Sequence, residues 1–190
     1  MAAQLDVLTV GYVGNRVAGT VILVRDGEFV TVIDPGMVAS RGLILDPLAG
    51  LGIAPEAVTD VVFSHHHPDH TLNAALFPQA RYHDILATYR DDLWTDRAFD
   101  GAGFSQLSPS VRMLRTPGHS EQDVSTVVET DAGGVVCTHL WWHENGPADD
   151  PYAPDRDVLR ASRERVLALS PALIVPGHGA PFAPGAGTPR

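Results

Sequence analysis

Lysine is absent from this 190-residue sequence, and all 13 basic residues are arginine. With 23 acidic residues, the formal net charge is -10 at pH 7. This balance argues against tight, non-specific nucleic-acid binding, because such binding needs a basic face that neutralises phosphates. It does not exclude a metal-centred nuclease, since bound cations would add positive charge that the count omits. The absence of lysine beside abundant alanine, glycine, proline and arginine suggests a GC-rich bacterial genome.

Cysteine and long apolar runs are equally scarce. The single cysteine, Cys137, excludes an internal disulfide and favours a cytoplasmic location. No apolar run approaches the roughly 20 residues of a membrane-spanning helix, and the N-terminus lacks the pattern of a signal peptide. We therefore expect one domain over residues 1–190, with a loose tail over 184–190 and no membrane association. The sequence does not indicate an oligomeric state.

Segments typical of strands form two groups, and each group is followed by segments typical of helices. Two strand groups covered by helices predict two packed sheets, an α/β or α+β sandwich. The predicted strands are 5–10, 20–24, 28–33, 58–63, 111–114, 124–129, 135–138 and 172–175, with an Asp26-Gly27 hairpin turn. The predicted helical segments are 43–51, 71–76, 85–94 and 155–169, with loops over 99–109 and 145–154.

A cluster of histidines follows the predicted strand 58–63. The pattern H-x-H-x-D-H places His65, His67, Asp69 and His70 within six residues. A strand end followed by a loop can direct such closely spaced donors toward one point. Imidazole and carboxylate together suit Zn²⁺, with Fe and Mn as alternatives. The other interpretations are a solvated polar loop and a chance run of histidines that resembles an affinity tag. A tag would lie at a terminus, however, whereas this run follows a predicted strand.

Three further histidines lie at predicted strand ends beside small or turn-forming residues. They are His119 in Thr-Pro-Gly-His-Ser, His139 after Cys-Thr, and His178 in Pro-Gly-His-Gly. Each alone is a weak signal, but strand ends along one edge of a sandwich can assemble a site from distant segments. We expect His66 to point away from this site and His83 to be a hydrogen-bonded or surface residue.

Taken in order, Asp34, the H-x-H-x-D-H pattern and the three later histidines resemble the five-motif signature of the metallo-β-lactamase superfamily. The resemblance spans most of the chain and implies a four-layer αββα sandwich with the metals at one edge. It also implies that Asp34 orients ligands without binding metal. The metal ligands that it implies are His65, His67 and His119 at a first site, and Asp69, His70 and His178 at a second.

One position departs from this signature. The fourth motif of the family presents an aspartate that bridges two metals, whereas this chain has His139 there. A neutral imidazole offers one free lone pair and cannot bridge two ions, and the change removes one negative charge. We therefore expect a metal at the first site, with His139 as a fourth ligand, and a weak, absent or conditional second ion. The alternative is that His143 or Glu144 takes part instead.

The predicted function is hydrolysis, because a bound divalent ion lowers the pKa of its water toward about 7 and makes hydroxide available. By the resemblance, Asp69 is the catalytic residue that orients this water and transfers its proton. Zinc is the expected ion, and the expected substrate is a small-molecule ester, thioester, lactone or phosphodiester. Trp141, Trp142 and His143 are candidates for the substrate pocket, with core packing as an equal alternative for the two tryptophans.

Two other classes of function stay open. A mononuclear-iron redox enzyme similar to persulfide dioxygenases uses the same fold, and iron in the purified protein would favour it. A catalytically silent metal-binding protein is the third option, motivated by His139. The stretches 73–78, 119–125 and 174–182 are also similar to a small animal member of the superfamily that is associated with RNA cleavage. That protein keeps the aspartate of the fourth motif, which argues against carrying RNA cleavage over.

Overall fold

The computed structural model describes residues 2–190 and contains twelve strands and three α-helices in that range. The strands are β1 (Gln4–Thr9), β2 (Val21–Asp26), β3 (Phe29–Ile33), β4 (Asp60–Val62), β5 (Arg81–His83), β6 (Ala87–Arg90), β7 (Leu93–Asp96), β8 (Phe104–Ser108), β9 (Val111–Arg115), β10 (Val124–Thr130), β11 (Gly133–Thr138) and β12 (Leu173–Pro176). The helices are α1 (Gly42–Gly50), α2 (Pro68–Thr71) and α3 (Arg156–Ala168).

The strands form two sheets of different size. One sheet has seven strands in the order β1-β2-β3-β4-β5-β6-β7, and the other has five in the order β12-β11-β10-β9-β8. The pairs β3–β4, β4–β5 and β11–β12 are parallel, and the other neighbours are antiparallel. The predicted Asp26-Gly27 hairpin is confirmed: Asp26 pairs with Phe29, and Gly27 has a φ of +63° that suits the tight turn.

Alternating side chains along the strands separate three apolar cores. In β2, Ile22 and Val24 belong to the core between the two sheets, whereas Leu23 packs with the α1 residues Ile44 and Leu48. A third core lies on the outer side of the five-stranded sheet, against α3. Two sheets with helices outside each of them form the αββα sandwich that the sequence predicts.

The segment predicted to be a helix over 85–94 is instead the hairpin of β6 and β7. Tyr89 lies directly opposite Trp94, with ring centroids 4.6 Å apart, and Asp91 adopts a φ of +53° in the turn. Asp84 Oδ1 accepts two backbone hydrogen bonds at the beginning of β6. Cross-strand aromatic packing and this turn chemistry outweigh the helical spacing of the apolar residues.

Two other predicted segments differ in detail. The loop predicted over 99–109 contains β8, which pairs with β9 at the edge of the five-stranded sheet. The helical turn predicted over 71–76 is divided between the end of α2 at Thr71 and a 3₁₀ turn over Ala74–Leu76.

The helix predicted over 155–169 forms as α3, and its buried face includes a charged residue. Val158 and Leu169 are 40% and 37% exposed, whereas Arg163 is fully buried. Its guanidinium donates hydrogen bonds to the carbonyl oxygens of Leu140, Ala148 and Pro147. No helix within residues 2–190 is long and apolar enough to cross a membrane.

Candidate metal centre

The fold gathers strand ends at one edge of the sandwich. Because β3 and β4 are parallel, the residues after them, Asp34 and Ser64, lie side by side. The parallel pair β11–β12 brings His139 and His178 together in the same way. His119 follows β9, which points in the same direction as β11 because both are antiparallel to β10. Five separated segments thus supply side chains to one centre.

Three histidine nitrogens converge on one side of this centre. His67 Nδ1 lies 2.9 Å from His65 Nε2 and 3.0 Å from His119 Nε2. Three neutral imidazoles this close direct lone pairs toward one another unless a cation or a proton lies between them. The structure therefore brings together the three residues predicted for the first metal site, in an arrangement that fits a cation.

The residues predicted for the second site lie on the other side of the same centre. Asp69 Oδ2 is 3.4 Å from His70 Nε2 and 3.5 Å from His178 Nε2. His70 is fully buried, and its Nε2 has no hydrogen-bond partner among residues 2–190. A buried nitrogen without a partner is costly, and a cation at this position would satisfy it.

His139 lies between the two groups. Its Nε2 is 3.0 Å from His178 Nε2. One of its ring nitrogens lies within 4.8 Å of ligand atoms of His65 and His119, and the same holds for His70 and His178. His143 and Glu144, the alternatives for this motif, are exposed. The geometry therefore favours His139 over either of them as the fourth-motif residue.

Asp34 orients two of the histidines. Its Oδ2 accepts hydrogen bonds from His70 Nδ1 at 2.8 Å and from Ser64 Oγ at 2.6 Å. Ser64 Oγ in turn accepts from His65 Nδ1 at 3.0 Å. The contacts to His70 and His65 occupy the Nδ1 of each ring, so that its Nε2 is directed inward. Asp34 therefore lies behind His65 and His70, on the side away from the converging nitrogens.

Two orienting groups were missed by the sequence analysis. Asp150 is buried, and its Oδ2 accepts from His119 Nδ1 at 2.8 Å and from Trp142 Nε1 at 2.9 Å. The carbonyl oxygen of Ala18 accepts from His178 Nδ1 at 2.9 Å. Asp150 belongs to a polar, proline-rich segment without periodicity, and a backbone carbonyl has no sequence signal.

Two glycines allow backbone to approach the centre closely. A Cβ on Gly36 would lie 1.6 Å from the carbonyl oxygen of Asp69, and a Cβ on Gly177 would lie 2.4 Å from Cδ2 of His139. The loop after β3 and the loop after β12 therefore pack directly against the candidate ligands. Any larger residue at either position would displace them.

The charges of the centre differ between its two sides. Burial and the neighbouring histidines hold the pKa values of His65 and His139 well below the ordinary value, so both rings stay neutral. Burial also lowers the pKa of His70, but the Asp34 carboxylate outweighs it and raises that pKa to about 9. Burial opposes ionisation of Asp69, yet His70 beside it lowers its pKa to about 2. The side of the centre that contains Asp34 and Asp69 therefore stabilises a positive charge beside these two carboxylates.

A cavity of about 420 Å³ opens onto both groups of residues. Trp142 lines it together with Tyr152, Val13 and Val17. Trp141, also a candidate for the pocket, is fully buried and packs in the core against Phe182, so core packing, the alternative expected for it, is what the structure has. His143, the third candidate, is exposed and lies outside the cavity lining.

The two remaining histidines lie outside the centre. His66 points away, with its Nε2 2.8 Å from Asp84 Oδ2. His83 is buried, and its Nε2 contacts Asp60 Oδ1 at 2.7 Å.

The C-terminal segment 184–190, expected to be a loose tail, has a contact with the core. The indole nitrogen of Trp141 donates a hydrogen bond to the carbonyl oxygen of Pro189.

Comparison with known proteins agrees with this architecture. The model of the metallo-beta-lactamase superfamily matches residues 14–101. Metallo-beta-lactamase domain-containing protein 1 of Xenopus laevis is 33% identical over 174 residues, which cover 86% of this chain and 72% of that protein. The chain belongs to the metallo-β-lactamase superfamily.

The mouse protein of the same name is 38% identical over 160 residues, which cover 80% of this chain. The alignment covers 60% of the mouse protein, so the chain spans about three-fifths of that relative. A solved structure from Thermotoga maritima, described as a metallo-beta-lactamase, superimposes with a TM-score of 0.75 at 22% identity. The superposition covers 97% of this chain and 100% of the Thermotoga maritima chain, which shows that the two share a fold.

More distant relatives include proteins named as hydrolases. N-acyl homoserine lactonase of Bacillus cereus is 25% identical over 138 residues, covering 65% of this chain and 55% of that protein. Atrochrysone carboxyl ACP thioesterase of Aspergillus fumigatus is 24% identical over 127 residues, covering 65% of this chain and 39% of that protein.

Proposed function

We propose that the chain is a metal-dependent hydrolase of small molecules. The observation that carries this proposal is the convergence of His65 Nε2, His67 Nδ1 and His119 Nε2 beside an open cavity. These three histidines would hold the ion, with His139 as a fourth ligand. Zinc suits such a set of imidazoles, with iron or manganese as alternatives. When bound, a divalent ion supplies Lewis acidity and lowers the pKa of water toward about 7.

The surrounding residues keep the donors ready for an ion. Ser64 and Asp150 contact the Nδ1 atoms of His65 and His119, which directs the Nε2 atoms of both rings inward. Both rings are buried, so they keep their orientation without competition from bulk water. This arrangement is the support that metal-binding histidines ordinarily have.

Asp69 is the candidate for the residue that transfers protons during hydrolysis. It lies in the cavity wall and is partly exposed, so its carboxylate can accept a hydrogen bond from an attacking water and then pass a proton to the leaving group. The cavity lining contains no serine, cysteine or lysine among residues 2–190. Water is therefore the nucleophile that these residues support.

His139 bears on the number of ions. An aspartate at this position would add a negative charge between the two groups, and a neutral imidazole adds none. We infer one firmly held ion on the His65 side and a weak or conditional second ion near Asp69. The ester, thioester or lactone class of substrate is supported by the lactonase and thioesterase relatives; phosphodiesters are the alternative.

Metal analysis combined with a substrate panel tests this function. Protein purified without chelator is expected to retain one zinc ion per chain, to hydrolyse a member of an ester, thioester and lactone panel, and to lose that activity with chelator. His65→Ala should remove metal and turnover together. His66→Ala is the matched control, because its side chain points away from the centre and both should persist.

Three results would contradict the proposal. Protein without metal would remove its basis. Iron together with persulfide oxidation would favour the redox class instead. Bound zinc without turnover on any member of the panel would indicate a silent metal-binding protein.

A further inference from the structure

Away from the histidines and Asp69, the walls of the cavity are largely apolar. Trp142 and Tyr152 stack on one side, with ring centroids 5.9 Å apart and planes 29° from parallel. Val13 and Val17 come from the loop between Tyr12 and Ala18, which are joined by a β-bridge. Val13 and Tyr152 are 43% and 65% exposed. A substrate that covered them would remove apolar surface from water, which favours binding.

The same walls contain no positive side chain. Among residues 2–190, Asp69 is the one acidic residue that lines the cavity, and no arginine lines it. Arg16 belongs to the same loop as Val13 and Val17, but it is exposed and outside the lining. Sites for phosphate groups ordinarily place arginine or lysine against the phosphate oxygens. A chain with net charge -10 adds no long-range attraction for an anion.

Taken together, the geometry points to an uncharged carbonyl substrate with an apolar acyl chain, and against a phosphodiester. This inference rests on the proposed hydrolase function and assigns its substrate class. The acyl chain would lie along Trp142, Tyr152, Val13 and Val17, with its carbonyl carbon at the histidine centre. Water adds to that carbon, the acyl C–O or C–S bond breaks, and the products are a carboxylic acid and an alcohol or thiol.

A homologous series of 4-nitrophenyl esters, from acetate to octanoate, tests the assignment with the metal-loaded protein. Each methylene that the cavity buries should raise kcat/KM by roughly threefold to fourfold, until the chain fills the cavity. Bis(4-nitrophenyl) phosphate is the anionic comparison. Its kcat/KM should be lower than that of the longer esters.

Two substitutions in the cavity walls should weaken the dependence of kcat/KM on acyl chain length. Val13→Asp places a charge in the wall, and Tyr152→Ala removes its aromatic surface; neither residue is a candidate metal ligand. Both should lower kcat/KM for octanoate by about tenfold or more, with a much smaller effect on acetate. Arg16→Ala and Trp94→Ala are the controls, because Arg16 lies outside the lining and Trp94 lies on β7, away from the cavity. Neither should change the series.

Binding of alkyl hydroxamic acids to the metal-loaded protein, followed by calorimetry, separates this inference from the proposed function. If no ester is hydrolysed but the hydroxamate Kd still falls with chain length, the hydrolase proposal fails and the apolar subsite stands. A Kd and a kcat/KM that do not change with chain length would overturn the subsite. Preference for the phosphodiester, with loss of that activity in Arg16→Ala, would also overturn it.

Discussion

A single imidazole lies where the two groups of candidate ligands meet. His139 is buried, and its Nδ1 has no hydrogen-bond partner among residues 2–190. It therefore contributes donor atoms to the centre without contributing charge. Among residues 2–190, Asp69 is then the one carboxylate placed to contact an ion directly, because Asp34 and Asp150 contact histidine Nδ1 atoms instead. Under the proposed function, the charge of the centre, rather than the number of donors, would limit how many ions it holds.

Replacing His139 with aspartate should raise the number of firmly held ions from one to two per chain. Added negative charge between the two groups lowers the repulsion between divalent ions. His139→Asn is the matched control, since an amide offers a donor oxygen without charge, and it should not gain a second ion. Elemental analysis after dialysis measures both. Two ions in the unaltered protein, or one in His139→Asp, would contradict this account.

At the scale of the element, α3 positions the segment that carries Asp150. Arg163 on this helix binds three backbone carbonyls, those of Leu140, Pro147 and Ala148, and its guanidinium lies 5.6 Å from the ring of Trp141. No carboxylate is within ion-pair distance of Arg163 among residues 2–190. A helix on the outside of the sandwich thus fixes the backbone around Asp150, which in turn orients His119.

Arg163→Met should weaken metal binding even though Arg163 does not contact the centre. Loss of three charge-assisted hydrogen bonds releases the 140–150 segment, and disturbed support of a metal ligand ordinarily lowers metal affinity by about 10–100-fold. Arg160→Met, on the exposed face of α3, is the control. A competition titration with a chelating dye measures the affinity, and urea unfolding measures stability. Reduced stability with unchanged metal affinity would restrict Arg163 to a role in the fold.

The same elements show what the sequence can and cannot predict. The histidines were predictable because their spacing is chemical and local, and the strands that precede them are strongly apolar. Asp150 contacts the side chain of His119, 31 residues away, and Arg163 contacts backbone carbonyls 15 to 23 residues away. A pattern in one sequence does not reveal such contacts. The β6–β7 hairpin was missed because its apolar residues also fit a helical spacing, while the deciding Tyr89–Trp94 contact is tertiary.

At the scale of the whole molecule, the two sheets are also tied together at the end opposite the metal centre. Asp26, at the end of β2, accepts hydrogen bonds at 2.6 Å from both Ser108 Oγ and Ser110 N of the other sheet. Burial opposes ionisation of Asp26, but these hydrogen bonds outweigh it and hold its pKa below the ordinary value of 3.8. Asp26 therefore stabilises the folded protein in its ionised form.

Asp26→Asn should reduce the free energy of unfolding at pH 7 by roughly 1–3 kcal/mol. Because the folded-state pKa is the lower one, this contribution is present above the unfolded value of 3.8 and is lost as the pH falls through the folded-state pKa. The difference between the two proteins should thus shrink below about pH 4. Urea unfolding at pH 7 and in steps down to pH 3 measures it, and a difference independent of pH would contradict the assignment.

The contact between His67 and His119 joins positions 52 residues apart in a chain with a single cysteine. An ion that bound both side chains would be a reversible cross-link: it would hold the ends of a long loop together in the folded protein and be released on unfolding. A disulfide closing a loop of this size would contribute roughly 4 kcal/mol. Unlike a disulfide, this cross-link depends on the free metal concentration rather than on an oxidant, so thermal stability and metal supply are coupled.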